Sequence, residues 1–496
     1  MSDSAPTAVR PPRPAATSPG RLRPSADSLW WIGLVAALFT CVQLIFVDPR
    51  LGLSWDEVVY VSQVSMHAPA AYFDPARARG IPLLVSPVTL LTASVLAMRV
   101  YLSVASGLAL FLALLAWRGV RPAWQLALAG GVFGSLWVAE YYGPQAMPDL
   151  WVGLAALAAV GCFLQAVGGD GDRAGRGWWL AGLAGSLAVA ALVRPGDAVF
   201  LSGGLVLAVL LVRAWRRWAP VAAVAAGLVA GCAEWVVEAY LRFGGPLARL
   251  HAAGAEQGGF GLHLAIWDEL KAANGPTLCR PCTIGLRYPE LSLWWLALPV
   301  LVVVGVIVAR KAGHLRSSML AAGCGACVAF QYLFLIDYAA PRFLLPAYAL
   351  AVIPVADALG WLLTGVRADL RPLTSAAVVV GLVAEVLVQL AVLNHQVAEK
   401  VTFFGDYTKI AAEMHQLGVR PPCLIKGEQD IPIAYYTGCG SAGSMATALL
   451  RDGPGRVAVL EYAHVAPPGY AALWHPYRLR GIRTSILRLI VYLPAR

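Results

Sequence analysis

The chain has 496 residues, of which 59% are hydrophobic and 13% are charged, and its mean hydropathy is +0.66. A water-soluble domain carries about a quarter charged residues, so this composition excludes an ordinary soluble protein and predicts a chain embedded in lipid. The formal net charge is +10. Because the basic residues concentrate in short loops between apolar runs, we interpret this charge as a signal of membrane topology and expect no nucleic-acid partner.

The first 28 residues form a tail that is rich in Pro, Ser and Ala and carries four arginines. Such a composition predicts a disordered segment. The apolar run Leu29–Val47 that follows is too long for a secretory signal and leads to Asp48-Pro49-Arg50 rather than to a small-residue cleavage site. We therefore expect a retained first membrane helix, with the tail in the cytoplasm.

About eleven apolar runs recur along the chain, at lengths near the roughly 20 residues that a membrane helix needs. Since a backbone in lipid must satisfy its own hydrogen bonds, we predict that all of them are helices. The runs are Leu29–Val47, Val100–Trp117, Trp124–Ala139, Leu150–Val167, Trp178–Val193, Val199–Val212, Val221–Val237, Leu291–Ala309, Ser318–Ile336, Phe343–Leu363 and Ser375–Leu393.

The basic residues predict an orientation. Alternate loops contain Arg118 and Arg121, Arg173 and Arg176, Arg213, Arg216 and Arg217, Arg310, Lys311 and Arg316, and Arg367 and Arg371. Basic loops stay on the cytoplasmic side of a membrane, and an odd number of spans then leaves the C-terminal part outside. We expect a multi-pass protein of the plasma (inner) membrane, with a cytoplasmic N-terminus and an extracytoplasmic C-terminal domain.

Three regions follow from this pattern: a disordered tail at 1–28, an all-α membrane domain at 29–393 and a small extracytoplasmic α/β domain at 394–496. Two long outer loops, at 48–98 and 240–290, interrupt the membrane domain. In the first loop an apolar stretch contains prolines and hydroxyl residues, so we expect it to lie at the membrane surface. If it crossed instead, the downstream topology would invert and the basic loops would lose their pattern.

Patterning of the C-terminal region predicts both helices and strands. The predicted helices are Tyr407–Leu417 and Met445–Arg451, and the predicted strands are Cys423–Lys426, Arg456–Glu461 and Ile486–Tyr492.

Four of the nine cysteines lie in predicted outer segments: Cys279, Cys282, Cys423 and Cys439. Disulfides persist in oxidising compartments, so we predict the bridges 279–282 and 423–439. A zinc site is the alternative, but the histidines of the same segments lack a recognisable ligand spacing. No cofactor is indicated; a divalent metal is neither excluded nor supported by a ligand set.

An acid pair, Asp56-Glu57, follows the first span at the level where hydrocarbon meets water. Ionised groups there can be solvated and still face a protein cavity, which suits proton transfer on a lipid-borne substrate. Adjacent helical residues point about 100° apart, so the two acids cannot address one atom. The alternative is structural, because acids at a helix N-terminus stabilise the helix by about 0.3–1 kcal/mol.

Further polar residues at the outer ends of the spans are candidates for the same site. Arg99, Arg194 and Arg342 could hold a phosphate, which a guanidinium matches with paired donors. The alternative is that such arginines only extend their charge towards water. Candidate lining residues are Tyr60, Glu140, Tyr141 and Asp149. Glu385, within the eleventh span, is an intramembrane acid and a functional candidate for that reason.

Three motifs together resemble the GT-C glycosyltransferases, most closely the protein O-mannosyltransferase and aminoarabinose-transferase branch. They are Trp55-Asp56-Glu57 with Tyr60 one turn on, Arg194-Pro195, and Arg342-Phe343-Leu344-Leu345-Pro346. The resemblance covers about residues 29–393. It implies a polyprenyl-phosphate sugar donor, an outer-face active site, inversion at the sugar carbon, Asp56 as general base, and Arg342, with Arg99 or Arg194, on the donor phosphate. The loop 240–290 and the C-terminal domain do not match closely, so the sugar and the acceptor stay open.

We therefore expect a membrane glycosyltransferase that acts on an extracytoplasmic glycan, lipid or protein of the cell envelope. A transporter or lipid flippase is one alternative, although the charges gather at the outer ends of the spans and no internal repeat is present. A non-catalytic assembly subunit is another, with a glycan or partner bound by aromatic residues of the outer domain. The candidate residues for such binding are Tyr435, Tyr436, Trp474 and Tyr477, which the alternative assigns to the core.

Overall fold

The structure is a computed structural model that describes residues 27–168, 173–259, 261–286, 288–441, 456–479 and 488–494. The predicted tail up to residue 26 and the predicted helix Met445–Arg451 lie outside the described residues. The described part of the chain is mostly helical, with one small sheet near the C-terminus.

Helices and strands are numbered in chain order. The helices are α1 (Asp27–Phe46), α2 (Trp55–Val61), α3 (Gly80–Thr89), α4 (Val95–Leu115), α5 (Ala123–Ser135), α6 (Trp137–Tyr142), α7 (Pro148–Gly168), α8 (Arg173–Val193), α9 (Pro195–Leu211), α10 (Trp218–Glu238), α11 (Pro246–Glu256), α12 (Ile266–Ala272), α13 (Leu293–Lys311), α14 (Leu315–Phe334), α15 (Leu345–Thr364), α16 (Arg371–Gln416) and α17 (Asp430–Thr437). The strands are β1 (Cys423–Gly427), β2 (Gly440–Ser441), β3 (Arg456–Tyr462), β4 (His475–Arg478) and β5 (Leu489–Leu493).

Within the described residues, nine helices are long and apolar enough to span a membrane: α1, α4, α7, α8, α10, α13, α14, α15 and α16. The other two predicted spans are also helical but shorter. Trp124–Ala139 is divided, because α5 stops at Ser135 and Leu136 is extended (φ −65°, ψ 124°) before α6 begins. α9 has 17 residues, or about 26 Å of helix. The predicted fold class, a polytopic helical membrane protein with a small α/β domain, is confirmed.

The helix α3 does not cross the bundle. It has 10 residues and is therefore about 15 Å long, half of the roughly 30 Å hydrocarbon thickness. This agrees with the expectation that the apolar part of the first long loop lies at the membrane surface.

Close packing of small residues brings the spans together. On α10, Gly227 and Gly231 face α8, where an added Cβ would lie 2.5 Å from the carbonyl oxygen of Ala184 and 2.3 Å from that of Ala188. Two glycines four residues apart thus allow the two backbones to approach, as is common in membrane bundles. The most deeply buried spans are α7 and α15, which form the centre on which the site is built.

The bundle has two ends. We call the end that carries α2, α3 and the sheet the site face. Since the spans alternate in direction, the basic loops that follow α4, α9, α13 and α15 all lie at the opposite face, as does the start of α8, which carries Arg176.

The helix α16 is continuous over 46 residues, from the opposite face into the C-terminal domain. The predicted domain boundary at 394 falls inside it, and the segment predicted as a separate helix at Tyr407–Leu417 is its last part. The apolar pattern stops at Leu393, whereas the helix continues because packing supports it, so the pattern alone does not predict its full length.

The sheet has the order β2-β1-β3-β5-β4. β1 is parallel to both β2 and β3, whereas β5 is antiparallel to β3 and β4. A disulfide joins Cys423, at the start of β1, to Cys439, just after α17. The helix α17 packs against α16, α2 and β1, and so joins the sheet to the site face.

Candidate active site

The acid pair lies on α2, and a capping box fixes the start of this helix. The Ser54 hydroxyl accepts a hydrogen bond from the Glu57 amide, and the Glu57 carboxylate accepts one from the Ser54 amide at 3.0 Å. Such reciprocal bonds satisfy backbone donors that a helix N-terminus leaves free. Glu57 therefore points back into the protein, and Asp56, about 100° around the helix, faces a cavity.

Arg99 of α4 holds Glu57 from the other side. Its guanidinium donates to both carboxylate oxygens, with 3.0 Å between Nη2 and Oε2, and to the carbonyls of Gly52 and Pro144 at 2.9 Å each. Neither side chain is more than 1% exposed. Arg99 and Glu57 are thus a buried pair that anchors the segment before α2, and neither lines the cavity that Asp56 faces.

The carboxylate of Asp56 lies between two guanidinium groups. Arg77 donates to Oδ1 at 2.7 Å and Arg342 donates to Oδ2 at 3.2 Å. Burial opposes ionisation of this carboxyl, but the two positive charges outweigh it and lower the pKa of Asp56 below its ordinary value. Asp56 is therefore an ionised acceptor at neutral pH.

The ionic contacts continue beyond Asp56 in an alternating row. Arg342 also lies 3.4 Å from Asp149, which forms an ion pair with Arg194. Arg194 in turn lies 3.9 Å from Asp197, one turn further along α9. The predicted residues Arg194, Arg342 and Asp149 thus meet Asp56 in one cluster, although they come from widely separated parts of the chain.

A cavity of about 220 Å³ is built around this cluster; we call it the cationic cavity after its four arginines, although four carboxylates line it as well. Its charged lining residues are Asp56, Asp74, Arg77, Asp149, Arg194, Glu256, Arg280 and Arg342, and Tyr60 and Tyr338 also line it. The Arg77 guanidinium lies 4.9 Å from the centre of the Tyr60 ring. Tyr60, a predicted lining residue, therefore supports one of the cations that hold Asp56.

Arg280 was not identified from the sequence. It lies between Cys279 and Cys282, which form a disulfide, and its guanidinium stacks 4.8 Å from the centre of the Tyr338 ring. Its Nη2 donates to the carbonyl of Glu256 at 3.0 Å. Among the described residues no carboxylate lies within ion-pair distance of Arg280, unlike Arg77, Arg194 and Arg342. Its position between two cysteines predicted to form a disulfide is the sequence feature that could have identified it.

A second cavity of about 340 Å³ lies on the other side of Asp56, and we call it the aromatic cavity. It shares Asp56, Met147, Leu278 and Arg342 with the cationic cavity. Its aromatic lining residues are Trp55, Tyr141, Tyr142, Phe403, Phe404 and Tyr407. The predicted residue Tyr141 is among them. Asp56 is therefore reached from two directions.

The C-terminal domain contributes to this second cavity and to the support of α2. Gln429, which precedes α17, lines the aromatic cavity and accepts a hydrogen bond from the Tyr407 hydroxyl at 2.7 Å. The hydroxyl of Tyr436 accepts a hydrogen bond from the Leu53 amide at 2.7 Å, just before α2 begins. Gly52 is required here, because an added Cβ would lie 2.9 Å from the Cβ of Phe404.

Two candidate acids lie elsewhere. Glu140, on the short α6, is 2% exposed and faces a small cavity inside the bundle next to Gln389. Glu385 accepts a hydrogen bond from Gln389 at 2.7 Å. Neither lines a cavity at Asp56. Within the described residues, no three His, Cys, Asp or Glu side chains are grouped as metal ligands.

No protein-family model and no curated protein matches the chain. Among solved structures it is similar to ArnT from Cupriavidus metallidurans bound to undecaprenyl phosphate, with a TM-score of 0.64 and 14% identity over 95% of this chain and 98% of that one. It is also similar to the archaeal oligosaccharyltransferase AglB from Archaeoglobus fulgidus in complex with an inhibitory peptide and a dolichol-phosphate, with a TM-score of 0.51 and 13% identity over 83% of this chain and 64% of that one. The chain is thus a multi-pass membrane protein that shares the fold of ArnT and AglB, which is the fold that the resemblance of its motifs implies.

Proposed function

We propose that this protein is an integral-membrane glycosyltransferase that moves a sugar from a polyprenyl-phosphate donor to a hydroxyl-bearing acceptor of the cell envelope. One observation carries the proposal: Asp56 is an ionised carboxylate that lines both the cationic and the aromatic cavity. The similarity of the fold to a protein bound to undecaprenyl phosphate supports the class of donor.

The donor phosphate binds in the cationic cavity. Arg280 is its first partner, because no ion pair between this guanidinium and a described carboxylate has to break when the phosphate binds. Arg342 and Arg194 add further charge from the floor of the cavity, where a water-poor setting strengthens each contact. Arg99 has no part in this set, since its donors are used by Glu57 and by backbone carbonyls.

The acceptor hydroxyl enters from the aromatic cavity. Its oxygen attacks the anomeric carbon of the sugar from the side opposite the phosphate, and Asp56 takes the hydroxyl proton as the new bond forms. The bond between that carbon and the phosphate oxygen breaks, and the polyprenyl phosphate leaves with the electron pair. A single displacement of this kind inverts the configuration of the carbon.

Arg77 and Arg342, which donate hydrogen bonds to Asp56, make the basicity of this carboxylate depend on donor binding. In the free protein they lower the pKa of this carboxyl, which makes it a weak base. When a donor phosphate recruits Arg342, Asp56 loses one neutralising partner and becomes a stronger acceptor for the proton. As the phosphate departs and gains negative charge, the same guanidinium stabilises it.

The proposal includes an orientation. The site face is extracytoplasmic in the plasma (inner) membrane, and the N-terminus is cytoplasmic, because the basic loops gather at the opposite face. The membrane domain at 29–393 then carries the reaction, and the region from 394 onwards is an outer domain that contributes Gln429 to the acceptor side. An envelope glycan, lipid or protein can supply the hydroxyl.

Purified protein in nanodiscs, incubated with a panel of polyprenyl-phosphate sugars, tests the proposal by the release of polyprenyl phosphate. We expect Asp56→Asn to lower release by about 100-fold or more, as loss of a general base does. Asp369→Asn is the matched control, since Asp369 is exposed on the opposite face. Full activity of Asp56→Asn, or substrate uptake into vesicles without any sugar transfer, contradicts the proposal.

A further inference from the structure

A third cavity, of about 590 Å³, opens beside the aromatic cavity, and we call it the groove. It lies between the segment that begins at Lys271 and the portion of α16 from Ala391 to Lys400. Thr277, Leu278 and Lys400 line both the groove and the aromatic cavity. The groove therefore leads towards Asp56 from the side of α16.

A buried amide marks the polar part of the groove. Gln396 is 3% exposed, and its Oε1 has no hydrogen-bond partner in the described structure. A buried polar atom without a hydrogen-bond partner is unfavourable, so this oxygen indicates a place for a donor from a bound molecule. A ligand hydroxyl supplies such a donor.

Two lysines line the same groove as this amide. Lys271 and Lys400 both line the groove, whereas Glu399 is its one carboxylate among the described lining residues. The two ammonium groups are themselves largely covered, with side chains 12% and 17% exposed, but their partners Asp268 and Glu399 are more open, at 26% and 52%. An anionic ligand can compete with these two carboxylates for the lysines, most readily with the exposed Glu399.

One part of the wall of the groove is apolar, and the end of the apolar run of α16 places it near the expected membrane surface. Leu291, Ala391 and Val392 line it, and the apolar run of α16 ends one residue later at Leu393. Tyr288, also a lining residue, is 67% exposed, and such aromatic side chains favour the interface between hydrocarbon and water. Hydrocarbon thus meets one part of the groove, and polar groups fill the other.

We infer that the groove binds the acceptor, and that this acceptor is a membrane lipid with an anionic, hydroxyl-bearing headgroup. Its acyl chain lies along Leu291 and Val392, its charge meets Lys271 and Lys400, and a hydroxyl donates to Gln396. The headgroup then extends past Lys400 into the aromatic cavity, where another hydroxyl reaches Asp56. This inference rests on the proposed function, because it takes Asp56 as the group that receives the hydroxyl proton.

A soluble glycan or a peptide fits this groove less well, because neither covers the apolar wall at the membrane level. The acceptor and the donor therefore differ both in chemical class and in the cavity through which each reaches Asp56. The donor phosphate occupies the cationic cavity, and the acceptor approaches from the opposite side of Asp56 along α16.

Photocrosslinking in nanodiscs tests the groove without any need for turnover. The probes carry a diazirine in the acyl chain and differ in the headgroup: phosphatidylinositol, which is anionic and rich in hydroxyls; a neutral glycosyl diacylglycerol; and phosphatidylcholine, which lacks a hydroxyl. We expect phosphatidylinositol to label Leu291, Ala391 and Val392 at least about tenfold more than phosphatidylcholine, with the neutral glycolipid between them. Equal labelling by all three probes, or no labelling of the groove, overturns the inference.

Variants separate the contributions of the charge and of the amide. The double substitution Lys271→Ala, Lys400→Ala should reduce labelling by phosphatidylinositol to the level of the neutral glycolipid, and Gln396→Leu should reduce labelling by both. Lys311→Ala and Gln416→Leu are the controls, because both residues are exposed and lie away from the groove. Unchanged labelling in the double variant overturns the role of the charge. Displacement of the lipid by a soluble oligosaccharide or a peptide overturns the choice of a lipid acceptor.

The outcomes distinguish this inference from the proposed function. Asp56→Asn should abolish transfer while the groove is labelled as in the unchanged protein. Release of polyprenyl phosphate with no labelling of the groove overturns only the acceptor inference. Labelling of the groove with no release from any donor overturns the proposed function and, with it, the acceptor role.

Discussion

Arg99 and Glu57 form a two-point ion pair that is almost completely hidden from solvent, and the same guanidinium holds three backbone carbonyls around it. The pair therefore fixes the turn that presents Asp56 while taking no direct part at the cavity. Because the two residues are 42 positions apart, their contact joins α2 to the first turn of α4. We therefore expect substitution of Arg99 or Glu57 to lower the stability of the fold and to leave donor binding unchanged.

We expect Arg99→Met to destabilise the protein by about 3–5 kcal/mol, because it leaves Glu57 as a buried, unpaired charge. Adding Glu57→Gln should recover part of the loss, since the amide is neutral. Thermal unfolding of the two single variants and the double variant in detergent measures the coupling. Strictly additive losses would show that the pair is not an energetic unit.

Arg77→Gln should move the acid limb of the activity profile to higher pH. The folded pKa of Asp56 lies below its ordinary value of 3.8. The Asp56 carboxylate is therefore ionised and active at any pH above its lowered pKa in the folded protein. Activity is lost only when the pH falls below that lowered pKa. Removing one neighbouring guanidinium raises this pKa, because less positive charge then stabilises the carboxylate. Rates of sugar transfer across the acidic range test this, with Arg367→Gln, at an exposed site, as the control; an unmoved limb would contradict the assignment of Asp56 as the base.

Arg280→Ala should weaken donor binding. A charge-assisted hydrogen bond is worth about 1.5–3 kcal/mol, so we expect the donor KM to rise about 10- to 100-fold with a small change in kcat. Arg280→Lys should restore part of the affinity, because an ammonium keeps the charge but loses the paired donors. Steady-state kinetics with varied donor measure the effect. A fall confined to kcat would assign Arg280 to another step.

Tyr436→Phe should reduce kcat without a matching change in the donor KM. The substitution removes the hydrogen bond to the Leu53 amide and so loosens the residues before α2. The expected loss is a few-fold in rate, on the order of 1 kcal/mol. Tyr435→Phe is the control, since the Tyr435 hydroxyl contacts Ser65 at 3.4 Å rather than the α2 cap. Equal effects of both substitutions would indicate general weakening of the domain.

The membrane spans and several residues of the ionic cluster around Asp56 could be predicted from local patterns. A long apolar run indicates a membrane helix, and a charged residue at the end of such a run is easily recognised. Asp56, Arg194 and Arg342 were found in this way. The roles of Glu57 and Arg99 were not, because the contact between them depends on how α2 and α4 pack. Arg77 and Arg280 lie in loops without periodicity. The position of Glu140 beside Gln389 could not be predicted either, because it depends on the break of α5 at Leu136.

The unbroken course of α16 has a consequence for the exchange of outer domains between proteins of this fold. The same helix carries Gln389 within the bundle and Phe404 and Tyr407 at the aromatic cavity, so the helical rotation between these positions is fixed. Inserting a single residue near His395 would swing everything beyond it by about 100°, whereas seven residues, two near-complete turns, would return the faces to within about 20°. Chimeras must therefore be joined so that the helical rotation is preserved. Those that preserve it should keep the aromatic cavity, displaced only along the axis of α16.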